Sequence, residues 1–346
     1  MFSTVRGLTF DDVILVPAYN GIRSRSHVTT SVKVSGRTFD IPIVSSNMDT
    51  VTGEAMARLM AAQGGLALLH RFMSIDDNAA MFKRLGDAKH VGCSIGIGAD
   101  GMARAEALVA AGCEIVCVDV AHGHSKEVSR TIKDLRAKFG PSNIMIVAGN
   151  VATYAGADYL AAAGADAIKV GIGPGSVCTT RMKTGFGVPQ LTAVADCSKV
   201  DRHIIADGGI RYPSDAVKAL AAGADLVMIG GLLSGTDETP GDVIEKKGAD
   251  GVIKRFKRFR GMASKEAQED FMGQMQDWKT AEGVALEVPC KGSAKAVLAD
   301  LMGGIRSGMT YCGAAEIREM KRKAQFMEIT AAGRTEGTPH ATQQFL

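Results

Sequence analysis

The chain has 346 residues, 40 basic against 37 acidic side chains, and only 5% aromatics. That length allows one large barrel or two ordinary domains with ample core. Near-balanced charge without a dense Lys/Arg block argues against a nucleic-acid groove, and no apolar run is long enough to span a membrane uninterrupted. The start, MFSTVRGLTFDD, has neither the apolar centre of a signal peptide nor a transit pattern. Seven cysteines, scattered and odd in number, form no CxxC or Cys/His zinc spacing. They read as reduced thiols in a cytoplasmic protein without structural zinc.

In chain order, residues 8–17 (LTFDDVILVP) are apolar with two carboxylates, and 23–26 form a polar surface loop. Short apolar runs then recur at 41–46, 66–70, 91–96, 115–120, 144–149, 167–173, 203–208 and 226–231. Ala-rich helical patterns separate most of them, often ending in glycine, as in ADYLAAAGAD and SDAVKALAAGAD. Near-continuous apolar strands alternating with helices imply a parallel sheet buried on both faces. Eight such strands are the number of a (β/α)8 barrel, although pattern alone also admits a doubly wound sheet. Polar and glycine residues gather just after the runs, and so many strand ends converging on one site favour the barrel.

Residues 236–292 break the alternation; this long excursion past the last strand reads as a mobile active-site flap. Within it, 254–260 (KRFKRFR) is expected to be a solvated strand or loop edge. An amphipathic segment at 294–301, a glycine-rich GGIRSGMTYCGA and a helix near 315–323 follow, and the polar tail from Ala331 suggests no regular structure. The interval from His70 to Val91 has room for one barrel helix and no second module. The expectation is one catalytic domain over 1–346.

The chemistry centres on 167–192, AIKVGIGPGSVCTTRMKTGFGVPQLT. An apolar strand runs into Gly171, Gly173 and Gly175, and the loop delivers Cys178, Thr179 and Thr180. Glycines bring backbone N–H groups close to a ligand, and a thiol on such a loop can be a nucleophile with hydroxyls relaying protons. A tight turn ending in an inert buried cysteine is the bland alternative.

The loop closely resembles the active-site loop of the IMP dehydrogenase/GMP reductase family. The likeness covers 8–330, through LTFDDVILVP, SSNMDTV, DVAHGHS, AGNV, GIGPGSVCTTR, ADGGIRYPSD, MIGG, RGMAS and GGIRSGMTYCGA in that order. It implies that Cys178 attacks C2 of a purine nucleotide and that Asp207 holds the ribose hydroxyls. Backbone N–H groups of Gly209, Gly230 and Gly231, with the Ser176 hydroxyl, would take the 5′-phosphate. Met262, Ser264 and Gly283 would meet the base. Nicotinamide would lie by Asp119, Ala121 and Asn150, with Arg71 (generally Lys in the reductases) on a cofactor phosphate. His122 and His124 read as polar loop residues rather than a metal pair. Carbonyls of Gly173, Gly175 and Cys178 resemble a potassium loop. The segment Glu336–Thr338 resembles one that completes it from a neighbouring subunit, which implies a homotetramer.

Both activities of the family pass through a C2–cysteine adduct. The dehydrogenases (IMP to XMP with NAD) usually bring an Arg–Tyr pair on the flap to activate water, and 265–282 contain none. The stretch DWKTAEG at 277–283 instead resembles the reductases, with Glu282 and Thr180 protonating the departing amine of GMP and NADPH reducing C2. The tail and GGIRSGM resemble the dehydrogenases more. The flap carries the differing step, so the resemblance implies reductive deamination of GMP, with a dehydrogenase lacking regulatory cystathionine β-synthase repeats as alternative. A non-catalytic nucleotide-binding barrel is the third reading. GMP, IMP and NADPH are then the partners, with no nucleic acid or membrane.

Overall fold

Each of the eight apolar runs is a strand, and the eight close on themselves in a parallel barrel. They are β1 Ile43–Ser45, β2 Leu66–Leu69, β3 Val91–Ile95, β4 Ile115–Asp119, β5 Met145–Val151, β6 Ala167–Val170, β7 His203–Asp207 and β8 Leu226–Ile229. Pairing of β8 with β1, Val227 opposite Ile43, completes the ring. The structure is a computed structural model describing residues 6–249, 251–274 and 278–339. Asp277 of the DWKTAEG stretch and His340 of the tail lie outside the described residues.

The strands are apolar throughout because both faces are covered: side chains fill the barrel inside and helices pack outside. Helices follow the strands as α1 Glu54–Ala62, α2 Ile75–Arg84, α3 Gly98–Ala110, α4 Lys126–Phe139, α5 Tyr154–Ala163, α6 Gln190–Cys197, α7 Pro213–Ala221 and α8 Ala294–Tyr311. Ser74, Ser125 and Thr153 start α2, α4 and α5 by accepting an N–H of the first turn. The interval between His70 and Val91 holds α2 alone.

The segment 294–311, expected as a helix followed by a glycine-rich stretch, is one continuous helix. A side chain on Gly304 would come within 2.3 Å of Pro213 Cβ, and one on Gly308 within 2.4 Å of Val217 Cγ1. These two glycines, four residues apart on one face, let α8 approach α7 closely. The tail also differs from expectation. Strand Gln325–Glu328 pairs antiparallel with Val13–Val16, and helix Ala331–Glu336 follows, capped by Thr330. Arg334 reaches Asp11 at 3.1 Å, so the tail packs on its own N-terminal segment.

Beyond β8, the chain builds a cover rather than an irregular loop. Strands Ile244–Lys247, Ile253–Arg260 and Ala285–Pro289 form an antiparallel sheet, and helix Lys265–Met272 joins the last two. The basic run 254–260 is therefore the central strand, not an edge. Lys257 is buried and donates to the carbonyls of Thr236, Asp237 and Thr239 at 3.0, 3.1 and 2.7 Å. Arg260, also buried, grips Asp49 at 2.5 Å and Asp270 at 2.5 Å. Alternation across the strand turns only some of its cations to solvent.

At the opposite rim, His203 Nδ1 lies 3.4 Å from Asp225 Oδ1. The hydrogen bond to Asp225 holds the imidazole above its ordinary 6.5, against burial that pulls it down. Folded His203 therefore binds its proton more tightly than the unfolded chain does. That contribution is full below the unfolded value and lost as pH rises through the folded one. Between about pH 6 and about pH 8, the native Tm is expected to fall more than that of His203→Gln. Parallel Tm profiles would remove the pair from the stability of this rim. No helix among the described residues is long and apolar enough to cross a membrane.

Candidate active site

A cleft of about 560 Å³ opens at the C-terminal ends of the strands, between the barrel mouth and the cover. Barrels carry chemistry at this face because eight independent loops converge there. The loop after β6 supplies the thiol. A side chain on Gly171 would put its Cβ 2.0 Å from Asp207 O, with φ at +151°, so only glycine brings this loop against β7. Cys178 N donates to Gly175 O at 3.1 Å, and Cys178 Sγ donates to Thr180 Oγ1 at 3.2 Å. Of seven free cysteines, five are buried, and burial pushes the Cys117 thiol up to about 12. Among the described residues, Cys178 is the cysteine that lines the cleft.

The cover is bound to this loop through backbone. Thr179 N donates to Glu282 O at 2.9 Å and Val284 N to Val177 O at 3.0 Å. These bonds put the Glu282 side chain in the wall that also holds Cys178 and Thr180. Gly283 bridges Cys178 on one side and Ser264 on the other. Ser264 and Gly283 thus lie outside the cleft lining, unlike the other candidate residues. Ser264 is 2% exposed, and its hydroxyl accepts Ala267 N–H at 3.2 Å as the cap of the cover helix. Met262 does line the cleft, its sulfur 3.3 Å from Asp49 N.

The floor of the cleft is a charge cluster. Lys169, 2% exposed, pairs with Asp119 Oδ1 at 2.7 Å and Asp207 Oδ2 at 2.9 Å. Asn150 Nδ2 donates to the same Asp207 oxygen and to Gly171 O, both at 2.8 Å. Burial pushes the Asp119 carboxyl up, but the Lys169 ammonium, with Arg71 and Asn47, outweighs it and the net direction is down. Burial likewise works against the Lys169 ammonium, and the two carboxylates reverse it. A buried cation between two anions remains charged for that reason. Sequence reasoning assigned Asp119, Asn150 and Asp207 but missed Lys169. Its signal was a lysine inside the otherwise apolar strand Ala-Ile-Lys-Val.

At one end of the cleft, Gly209, Gly230 and Gly231 form a glycine rim, with Ser176 Oγ placed 2.9 Å from where a Cβ on Gly231 would stand. Lys291, also unassigned from sequence, donates to Gly231 O at 3.3 Å. At the other end, Arg71 lies over the Phe72 ring, and its buried Nε has no partner among the described residues. Ala121 lines this side, while His122 and His124 are exposed and absent from the lining. His70 beneath is buried, which pulls its imidazole down to about 4, so it is a neutral core residue. Phe72 meets Phe271 of the cover at 4.9 Å between ring centres.

The proposed cation carbonyls sit on the Cys178 loop. That of Gly175 accepts one N–H and retains a lone pair, so the donor chemistry fits a monovalent ion. Arg181 packs on Gly173 and donates to Ile172 O at 3.2 Å.

Fold and site define a (β/α)8-barrel enzyme with a cysteine on a glycine-rich loop beside a polar, carboxylate-floored cleft. The family model described as "IMP dehydrogenase / GMP reductase domain" matches residues 7–340. The chain belongs to that family, and is an oxidoreductase of it. It is 34% identical to inosine-5'-monophosphate dehydrogenase of Nitrosopumilus maritimus, with 96% of this chain and 98% of that one covered. It is 40% identical to mouse GMP reductase 1, over 93% and 95%. Among solved structures, a cysteine-to-alanine variant of GMP reductase from Trypanosoma brucei in complex with guanosine 5'-monophosphate matches with TM-score 0.91 and 31% identity, over 98% of each chain. Inosine 5' monophosphate dehydrogenase from Legionella pneumophila matches with TM-score 0.84 and 53% identity, over 95% and 100%.

Proposed function

We propose that the protein is a GMP reductase of the cytoplasm, converting GMP to IMP and ammonia at the expense of NADPH. The observation that carries this reading is the placement of Glu282. The cover locks its backbone to Thr179 and sets the residue in the wall with Cys178 and Thr180. From 261 to 292 the sequence has neither arginine nor tyrosine, so the cover holds no Arg–Tyr pair to activate water.

In this reading the Cys178 thiolate adds to purine C2. Glu282, through Thr180, delivers the proton with which the 2-amino group leaves as ammonia, and a C2–sulfur thioimidate remains. A reduced nicotinamide bound beside the cleft would supply the hydride that replaces sulfur at C2, so that IMP leaves and the Cys178 thiolate is restored. Asp207, with Oδ2 taken by Lys169 and Asn150, offers Oδ1 to the ribose hydroxyls. The glycine rim and Ser176 accept the phosphate. Arg71, whose Nε has no partner among the described residues, would take a cofactor phosphate, and Asp119, Ala121 and Asn150 would flank the nicotinamide. Potassium on the carbonyls of Gly173, Gly175 and Cys178, and a tetramer that completes the site, belong to the same reading.

A second reading, oxidation of IMP to XMP with NAD, is favoured by the 53% identity to the Legionella structure. Nicotinamide absorbance separates the two. With GMP and NADPH, loss of absorbance together with ammonia release is expected. Glu282→Gln is expected to lower kcat by about 100-fold with KM little changed. A rise in absorbance with IMP, NAD and potassium, and none of the first reaction, would replace the reductase by the dehydrogenase.

A further inference from the structure

We infer that Lys169 is a positioning residue shared by the two halves of the cleft, orienting Asp207 for the nucleotide and Asp119 for the cofactor at once. The inference rests on the assignment of those two aspartates in the reading above and goes beyond it.

Three observations carry it. First, the ammonium is the one cation among the described residues that contacts both carboxylates, at 2.7 and 2.9 Å, and those carboxylates come from strands on either side of β6. Second, the register prepares the reach. Asp119 on β4 stands opposite Gly149 on β5, and Gly149 stands opposite Lys169 on β6. A side chain at Gly149 would come within 2.5 Å of Lys169 Cβ, so β5 leaves the lysine a path across it to β4. Third, each carboxylate has one oxygen committed to the lysine, which fixes its rotation. Asp207 has the Asn150 amide as additional support and Asp119 an Asn47 amide, but neither amide reaches both.

A lysine that served only to neutralise buried charge would affect folding alone. A shared positioning residue affects both ligands. The test measures Kd for GMP and for NADP by calorimetry, with kcat and KM, in Lys169→Met, Lys169→Arg, Asp207→Asn and Asp119→Asn. Expected is a loss of tenfold or more in affinity for both ligands in Lys169→Met and substantial recovery in Lys169→Arg. Asp207→Asn is expected to weaken GMP alone and Asp119→Asn NADP alone. If Lys169→Met fails to fold, the charge-balanced double variant Lys169→Met/Asp119→Asn replaces it. That protein should bind GMP at least tenfold more weakly than Asp119→Asn. Equal GMP affinities, or a Lys169 effect confined to one ligand or to Tm, overturn the inference while leaving the aspartate assignments standing. Native protein that binds neither GMP nor IMP overturns the assignments and the inference together.

Discussion

Cys178→Ala is expected to lose turnover by about 10⁴-fold or more in whichever direction the native protein works, with Tm and nucleotide affinity nearly unchanged. The side chain is half-buried, contacts Thr180 Oγ1 at 3.2 Å, and contributes little to the core. Its loop is held instead by backbone bonds that alanine keeps, Cys178 N to Gly175 O and Thr179 N to Glu282 O. Removing the sulfur is therefore expected to remove the proposed covalent step and little else. The checks are the absorbance assay, calorimetric binding of GMP, and trapping of a nucleotide–protein adduct by mass spectrometry in the native protein only. An alanine variant with turnover within tenfold of native would show that no bond to this sulfur forms.

Gly149→Ala is expected to cost about 3 kcal/mol or more in stability, beyond ordinary overpacking, and to remove activity in whatever protein still folds. The new methyl would stand 2.5 Å from Lys169 Cβ and 2.7 Å from Lys169 O. The backbone of β6 cannot yield without opening its pairing with β5 and β7. If the Lys169 side chain yields instead, Asp119 and Asp207 face each other in a buried floor with their cation withdrawn. Denaturant unfolding measures the first effect and the absorbance assay the second. A variant as stable as native, with ligand affinities intact, would mean that the lysine does not depend on the gap in β5.

The barrel was legible because its strands are short apolar runs separated by capped, Ala-rich helices, and all eight runs became strands. The loop carrying Cys178 was legible because glycine spacing and neighbouring hydroxyls are local features. Ser264 was ambiguous because a serine after Gly-Met-Ala reads equally as a ligand contact and as a helix cap. The structure places it as a cap, 2% exposed. The strand 254–260 misled because seven residues with five cations suggest solvent, and nothing local shows that Lys257 has three carbonyls waiting. The tail from Ala331 was unreadable because Arg334 finds its anchor in Asp11, more than three hundred residues away.

The sequence by itself determined the barrel, the glycine-rich loop that carries Cys178 and the family, since each rests on periodicity or on residues adjacent in the chain. Only the tertiary structure decided which charges meet: Lys169 with Asp119 and Asp207, Arg260 with Asp49, and Glu282 beside Cys178 and Thr180. Apolar burial is non-directional and writes itself into composition and period. Electrostatic contacts depend on distance and burial between remote segments, which the order of residues does not carry.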